Sequence, residues 1–299
     1  MPLPSRTSDA LSAPAILLAR FPGTRAFLLV WCCFAIAGCV NQPANGPVSH
    51  AQIRLNQARR TRADAKTAIG YYLEAADTAL NSANSSSSTS SADSQAIYNS
   101  ACQEMAVLLQ ANPALWKRHE TISAHGRTYR LQFTSGSRQA GIWDPSYFDH
   151  LHTARQLHRS FRLLARHQNG WGGALVGVHK PADPRKYFLP PHGLAVPVTA
   201  AVDFNPVGSR NSDPTLEARF TLYDPGKRET IRMDRAERPL AADFTATYSY
   251  YPNPFLLGIQ AMLRPASYRE RARLYLLEPY DPTQIPVVFV HGLMSAPQM

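Results

Sequence analysis

The chain has 299 residues, a formal net charge of +10, 44% hydrophobic and 17% charged residues, which allows one large or two modest domains and excludes wholesale disorder. Of the 31 basic residues 26 are Arg, and with 24 Pro this reads as compositional bias rather than a binding strategy. No Lys/Arg run or nucleic-acid module is present, so no nucleic-acid partner is expected.

In chain order, Arg20 and Arg25 precede the apolar run Phe27–Ala37, and Gly38-Cys39 come directly after it. A basic segment, a short apolar run and small residues at its end describe a secretory signal over 1–38. The run is too short for a bilayer-spanning helix, which needs about 20 residues. Ile36-Ala37-Gly38-Cys39 resembles the bacterial lipobox. That resemblance implies lipidation at Cys39 and a membrane partner through the anchor; an uncleaved anchor or an ordinary signal peptide is the alternative. Val40 rather than Asp after Cys39 implies, by resemblance to Gram-negative lipoproteins, the outer membrane facing the periplasm. The mature part keeps 28 basic and 20 acidic residues, 28 − 20 = +8, and only Cys39 and Cys102. An acylated Cys39 leaves Cys102 without a disulfide partner, and Cys102 reads as a buried thiol.

Residues 39–49 read as a flexible tether and 50–115 as a helical hairpin with a Ser-rich loop. Its first helix runs from His50 to Leu80 with Leu55, Ala58, Ile69, Tyr72, Leu73 and Ala76 at helical spacing. Asn81–Ser94 is the Ser-rich loop. The second helix spans Ala96–Gln110, carries Ile97, Ala101, Met105, Leu108 and Leu109 on one face, and ends at Asn112-Pro113.

Residues 116–273 read as a mixed α+β region. Strands are expected at Tyr129–Phe133, Ala195–Phe204, Ala218–Tyr223 and Phe244–Tyr250, an apolar stretch follows a glycine-rich turn at Ala174–Val178, and helices are expected at Tyr147–His167 and Phe255–Leu263. Asp224-Pro225-Gly226 reads as a turn in which Pro presets φ and Gly accepts positive φ. His150, His152 and His158 fall in the predicted helix, where residues two apart diverge by about 200°, so no metal or other cofactor is expected there. Tyr248-Ser249-Tyr250-Tyr251 reads as a strand with a packed aromatic face; the alternative is a sugar or lipid platform.

Residues 274–299 carry the chemistry. Glu278-Pro279-Tyr280-Asp281-Pro282 makes a turn, and Ile285–Val290 runs without a polar residue, as a strand buried on both faces does. His291-Gly292-Leu293 and Met294-Ser295-Ala296-Pro297 come next. This strand and loop resemble the oxyanion-hole segment of α/β-hydrolase lipases and esterases, and in layout the bacterial lipoproteins of that superfamily. The resemblance implies that the Leu293 N–H is one oxyanion donor, that Gly292 lets backbone approach the substrate, and that His291 braces the loop. The nucleophile of that family sits in a downstream Gly-x-Ser-x-Gly, with acid and base after it. No such pentapeptide occurs in the 299 residues. The expected fold class is therefore an incomplete α/β hydrolase start preceded by the hairpin and the mixed region, cut short just after the oxyanion strand. The expected function is the N-terminal fragment of a membrane-anchored ester or lipid hydrolase, inactive alone. The alternative is a non-catalytic periplasmic binding or scaffold lipoprotein, and no protein partner is identified.

Overall fold

A computed structural model describes residues 46–85, 88–116, 120–136, 140–157, 166–183, 188–207, 215–234, 236–251, 254–268, 275–276, 281–283 and 285. Three helices come first: α1 Pro47–Arg60, α2 Ala65–Ser85 and α3 Ser88–Ala111. Pro47 opens α1 where no N–H is needed, and Arg59 and Arg60 sit in its last turn, favourable to the helix dipole. The apolar spacing predicts unbroken helix past Arg60, but the chain makes a four-residue turn there. The last residue of that turn, Asp64, accepts hydrogen bonds from the Thr67 N–H and hydroxyl, the latter at 2.6 Å. That side-chain cap starts α2 afresh.

The Ser-rich stretch also departs from expectation. α2 runs on to Ser85 and α3 begins at Ser88, so most of Asn81–Ser94 is helical rather than loop. Ser82 and Ser94 are buried, and Ala68, Ala75, Ala76, Ala79, Ala101 and Ala106 bring the helices close. Small side chains gain from helix packing what their modest helix propensity withholds. The predicted apolar faces are otherwise in place, with Leu55, Ala58, Ile69, Tyr72, Leu73, Ile97, Ala101, Met105, Leu108 and Leu109 all in the core.

The short helix α4 Pro113–Trp116 leads into strands β1 Thr121–Ala124, β2 Arg127–Phe133, β3 Ile142–Trp143, β4 His150–Thr153, β6 Gly173–His179, β7 Leu194–Val207 and β8 Thr215–Tyr223. These seven form one mixed sheet, ordered β1-β2-β8-β7-β6-β4, with β3 beside the end of β8. β2 and β8 are parallel and the other pairs antiparallel. Two small ladders stand apart: β5 His167–Gln168 with β11 Ala242–Asp243, and β9 Thr230–Met233 with β10 Ala236–Pro239. Short helices α5 Ala154–Leu157 and α6 Phe244–Ser249, then α7 Pro254–Leu263 and α8 Pro265–Tyr268, complete the described elements.

Two expected elements change type. Residues 147–153 are not helix: Pro145–Tyr147 is a 3-10 turn capped by Asp144, and His150–Thr153 pairs with Leu175–Val178. Leu151, Ala154 and Leu157 fit a helical period, but β6 offers an open ladder that the segment completes. Phe244–Ser249 is helix rather than strand, because the Asp243 carboxylate accepts the Ala246 N–H at 2.9 Å and caps it. Asp224-Pro225-Gly226 is a turn held by the Asp224 side chain on the Gly226 N–H at 3.0 Å, with Gly226 outside the positive-φ glycines.

One sheet face, through Tyr129, Leu131, Leu175, Val196, Val198, Val202, Phe220 and Leu222, packs on α2 and α3 in the main core. The other face is covered near β6 and β7 by Ala154, Ala246, Tyr250 and Tyr251, which pack on Val176, Val178 and Ala195. Farther along that face the side chains are polar: Gln132 and Arg219 both bind Glu217, at 3.1 and 2.8 Å.

Polar side chains of α3 finish the sheet's hydrogen bonding. The Tyr98 hydroxyl donates to the Val202 carbonyl at 2.6 Å and accepts from the Val202 N–H at 2.9 Å. The Asn99 amide donates to the Gly170 carbonyl and accepts the Gly172 N–H, both at 2.8 Å. Gln103 donates to the Ala174 carbonyl at 2.5 Å and Gln110 to the Phe148 carbonyl at 2.6 Å. Tyr98→Phe keeps the ring and strands two buried backbone groups. It is expected to cost about 2 kcal/mol or more in urea unfolding, whereas a change within a few tenths of a kcal/mol of wild type would show that β7 does not depend on this hydroxyl.

Candidate functional site

The residues that carry the sequence prediction, His291, Gly292, Leu293 and Cys39, lie outside the described residues, as does His158. The approach to them is partly described. The Asp281 carboxylate, in the predicted Glu-Pro-Tyr-Asp-Pro turn, accepts from the Thr283 N–H and hydroxyl at 3.0 and 2.6 Å and from Lys227 at 2.8 Å. The hydrogen bond from Lys227, followed by those from Thr283, holds this carboxyl well below the usual carboxylate range. Ile285, the first residue of the predicted strand, is 90% exposed.

Three histidines gather around β4 and β6. On a strand His150 and His152 share a face, unlike on the expected helix, and their rings stand 6.1 Å apart. His152 also faces Tyr250 at 6.0 Å, and Tyr250 donates to the His192 carbonyl at 2.9 Å. Burial first, then the positive neighbours His150 and Lys180, pushes the His152 pKa down from its ordinary 6.5. His179 belongs to the opposite face. It stacks on Tyr147 at 4.3 Å, with Nδ1 3.5 Å from the Asp149 carboxylate. Among the described residues no group of three or more His, Cys, Asp or Glu side chains is placed to hold a metal ion. The tyrosines expected on a strand with a packed aromatic face instead stand at the end of α6: Tyr251 accepts the Ala195 N–H at 2.8 Å, and Tyr248 is exposed.

A carboxylate–histidine pair that the sequence pattern does not reveal joins β5 and β11. His167 Nδ1 lies 3.2 Å from Asp243 Oδ1, and the two residues are register partners. Asp243 orients the ring through Nδ1 while capping α6, an arrangement like the acid–base half of a catalytic triad. Alternation around His167 and Asp243 carries no trace of it, because the partners are 76 residues apart (243 − 167). Cys102 is a buried thiol, as expected, and burial pushes its pKa up to about 12.

Two clefts open on the surface. One of about 560 Å³ is lined by Arg228, Glu229, Thr230, Arg232 and Glu237 along β9 and β10. A smaller one of about 260 Å³ lies among Gln110, Pro113, Phe133, Asp144 and Phe148. The first balances two cations against two carboxylates, with the Thr230 hydroxyl donating to Glu237 at 2.6 Å, and the second is mostly apolar, with the Ser146 hydroxyl donating to Asp144 at 2.6 Å; neither lining includes a histidine.

His152 yields a testable sign. Its folded pKa is lowered, so below 6.5 the unfolded chain takes up a proton that the fold resists, and stability falls as pH drops through that window. His152→Gln is expected to flatten the decline in urea midpoint between about pH 7.5 and 5, and an unchanged slope would count against the assignment. No protein-family model matches the chain, and no curated protein or solved structure matches it either.

Proposed function

We propose that the chain is the lipid-anchored front part of an α/β serine hydrolase of the bacterial envelope, acting on a carboxylic ester or lipid ester. The observation that supports this is the run Ile285–Val290 leading directly into His291-Gly292-Leu293. An apolar strand that hands over to His-Gly puts a backbone N–H, here that of Leu293, where negative charge develops on a carbonyl oxygen. One such donor is worth on the order of 3 kcal/mol of barrier. Gly292 removes the Cβ that would hold substrate off. In this reading residues 50–273 form a front module that neither attacks nor deprotonates substrate. The His167–Asp243 pair precedes the oxyanion segment in the chain, whereas this family places acid and base after the nucleophile, so the pair is read as a cap and ladder contact. The lipobox-like Ile36–Cys39 supplies the membrane anchor, and Val40 rather than Asp after it favours the outer membrane.

A second reading, a binding or scaffold lipoprotein without catalysis, is favoured by one observation: the 299 residues hold no Gly-x-Ser-x-Gly. The coding DNA discriminates. A Gly-x-Ser-x-Gly in any frame within about 120 codons after codon 299 supports the hydrolase; none there supports the scaffold. The purified 299-residue chain is expected to leave p-nitrophenyl butyrate untouched. A product that includes the downstream nucleophile is expected to turn it over, and Leu293→Pro, which deletes the donor N–H, to lower kcat about 10²- to 10³-fold. Inhibitor-sensitive turnover by the 299-residue chain alone would overturn the proposal.

A further inference from the structure

Helix α7 presents an apolar face that the rest of the described fold does not cover. Its sequence Pro-Phe-Leu-Leu-Gly-Ile-Gln-Ala-Met-Leu contains one hydrogen-bonding side chain, Gln260. Ile259, Met262 and Leu263, spaced three and four apart on one helix face, are 37%, 55% and 76% exposed. Among the described residues the large hydrophobics with this much exposure are concentrated here: apart from Ile53 they are Phe188 and five residues between 248 and 285. Phe188 belongs with the C-terminal stretch, since its carbonyl accepts the Leu276 N–H at 2.7 Å. The helix is nonetheless ordered against its successor. The Arg264 N–H donates to the Gln260 carbonyl at 2.9 Å, and the Tyr268 hydroxyl donates to the Gln260 side chain at 2.7 Å, which ties α8 back onto α7.

The chain turns cationic immediately after the apolar face. Arg264 is exposed. The sequence from 264 to 273 carries Arg264, Arg269, Arg271 and Arg273 against the single acid Glu270, 4 − 1 = +3. Several like charges that follow an apolar helix in sequence are costly to bury against a second protein surface unless each is paired. Against anionic headgroups they are complementary, and an apolar helix face with an arginine at its edge and more arginines next in sequence has the composition of an interfacial helix.

We propose that α7 seats on the surface of an anionic bilayer, with Ile259, Met262 and Leu263 in the headgroup–acyl boundary and Arg264 at the lipid phosphates. This contact is separate from acylation at Cys39 and is argued from residues 254–273 alone.

The test uses the unacylated form beginning at Val40. That form keeps the whole compact unit Asn45–Met299, whose buried core spans Ala51 to Leu240. Co-sedimentation is measured with phosphatidylcholine vesicles with and without about 30% phosphatidylglycerol. Binding is expected to the anionic vesicles and to weaken with salt. Met262→Ser with Leu263→Ser is expected to lower the partition coefficient about tenfold or more, and Arg264→Glu to lower binding to anionic vesicles only. Because both apolar residues are exposed, the double variant keeps the wild-type thermal unfolding curve. Equal binding by wild type and double variant overturns the proposal, as does binding indifferent to anionic lipid. So does light scattering that shows a wild-type dimer and a monomeric double variant, which would assign the face to a second copy of the chain. A downstream sequence without the hydrolase nucleophile would defeat the catalytic reading and leave this result untouched.

Discussion

The fold depends on the backbone of β7 at Val202. β7 is 14 residues long, and β6 accompanies it only from Leu194 to Ala200. Beyond that point one side of β7 has no strand partner among the described residues, although Val202 is fully buried. An N–H and a carbonyl left unmet in such a place each cost about 1–3 kcal/mol. The Tyr98 hydroxyl meets both at once, and it can do so because a phenol donates one hydrogen bond and accepts another. The helix thereby takes the place of the missing strand. Asn99, Gln103 and Gln110, at helical spacing on the same helix, continue the task along the Gly170–Ala174 segment and the turn at Phe148.

That role requires α3 to lie unusually close to the sheet, and the sequence makes room. A Cβ at Gly173 would stand 2.3 Å from the Gln103 backbone nitrogen, so only glycine fits where α3 crosses β6. At Gly177 the vacant side is filled by the Phe148 ring, which a Cβ would meet at 2.5 Å. Phe148 in turn packs edge-on against Trp143 and Tyr147, so the edge strand β4 is fixed from within. At the opposite end of the sheet, α2 is tied through Asp77, which accepts from Arg127, from Tyr129 at 3.3 Å and from Asn81 at 2.8 Å. Burial pushes this carboxyl up despite the guanidinium beside it. Its value therefore lies in fixing register rather than in net Coulomb energy.

Much of this framework is legible in the sequence because apolar periodicity reports burial directly. The faces of α2 and α3 and the strands β2, β7 and β8 emerge from it, and β6 shows as an apolar stretch. The departures share a cause: local pattern competes with a non-local partner. Residues 150–153 could satisfy a helical period, but they complete the ladder of β6. Phe244–Tyr250 alternates like a strand, yet Asp243 caps it as a helix. The Ser-rich segment has little intrinsic structure and becomes helical where its small side chains pack. The polar face of α3 is invisible in the sequence for the same reason. Tyr98, Asn99 and Gln103 bind backbone 71 to 104 residues away, and a carbonyl's need for a donor leaves no mark on its own residue type. The motif residues His291, Gly292 and Leu293, by contrast, are conspicuous in sequence and lie outside the described residues.

The sheet also constrains the catalytic proposal. Its single parallel pair is β2 with β8, and the face it shows beside Gln132, Glu217 and Arg219 is polar. If Ile285–Val290 forms the strand its sequence predicts, being apolar at every position suits it to a parallel sheet covered on both faces. Added beside β1 it would lay alternate apolar side chains next to that polar face, and beside β4 it would meet His150 and His152. Neither edge repays its burial. In the proposed reading the strand therefore belongs to a second sheet with its own covering helices, and the front module contributes a surface rather than a strand. Tyr250 and Tyr251 tie the end of α6 to His192 and to Ala195 of β7 before the chain turns apolar outward at α7, and among the described residues Leu276 and Asp281 return to the front module, one packing on its main core and the other pairing with Lys227.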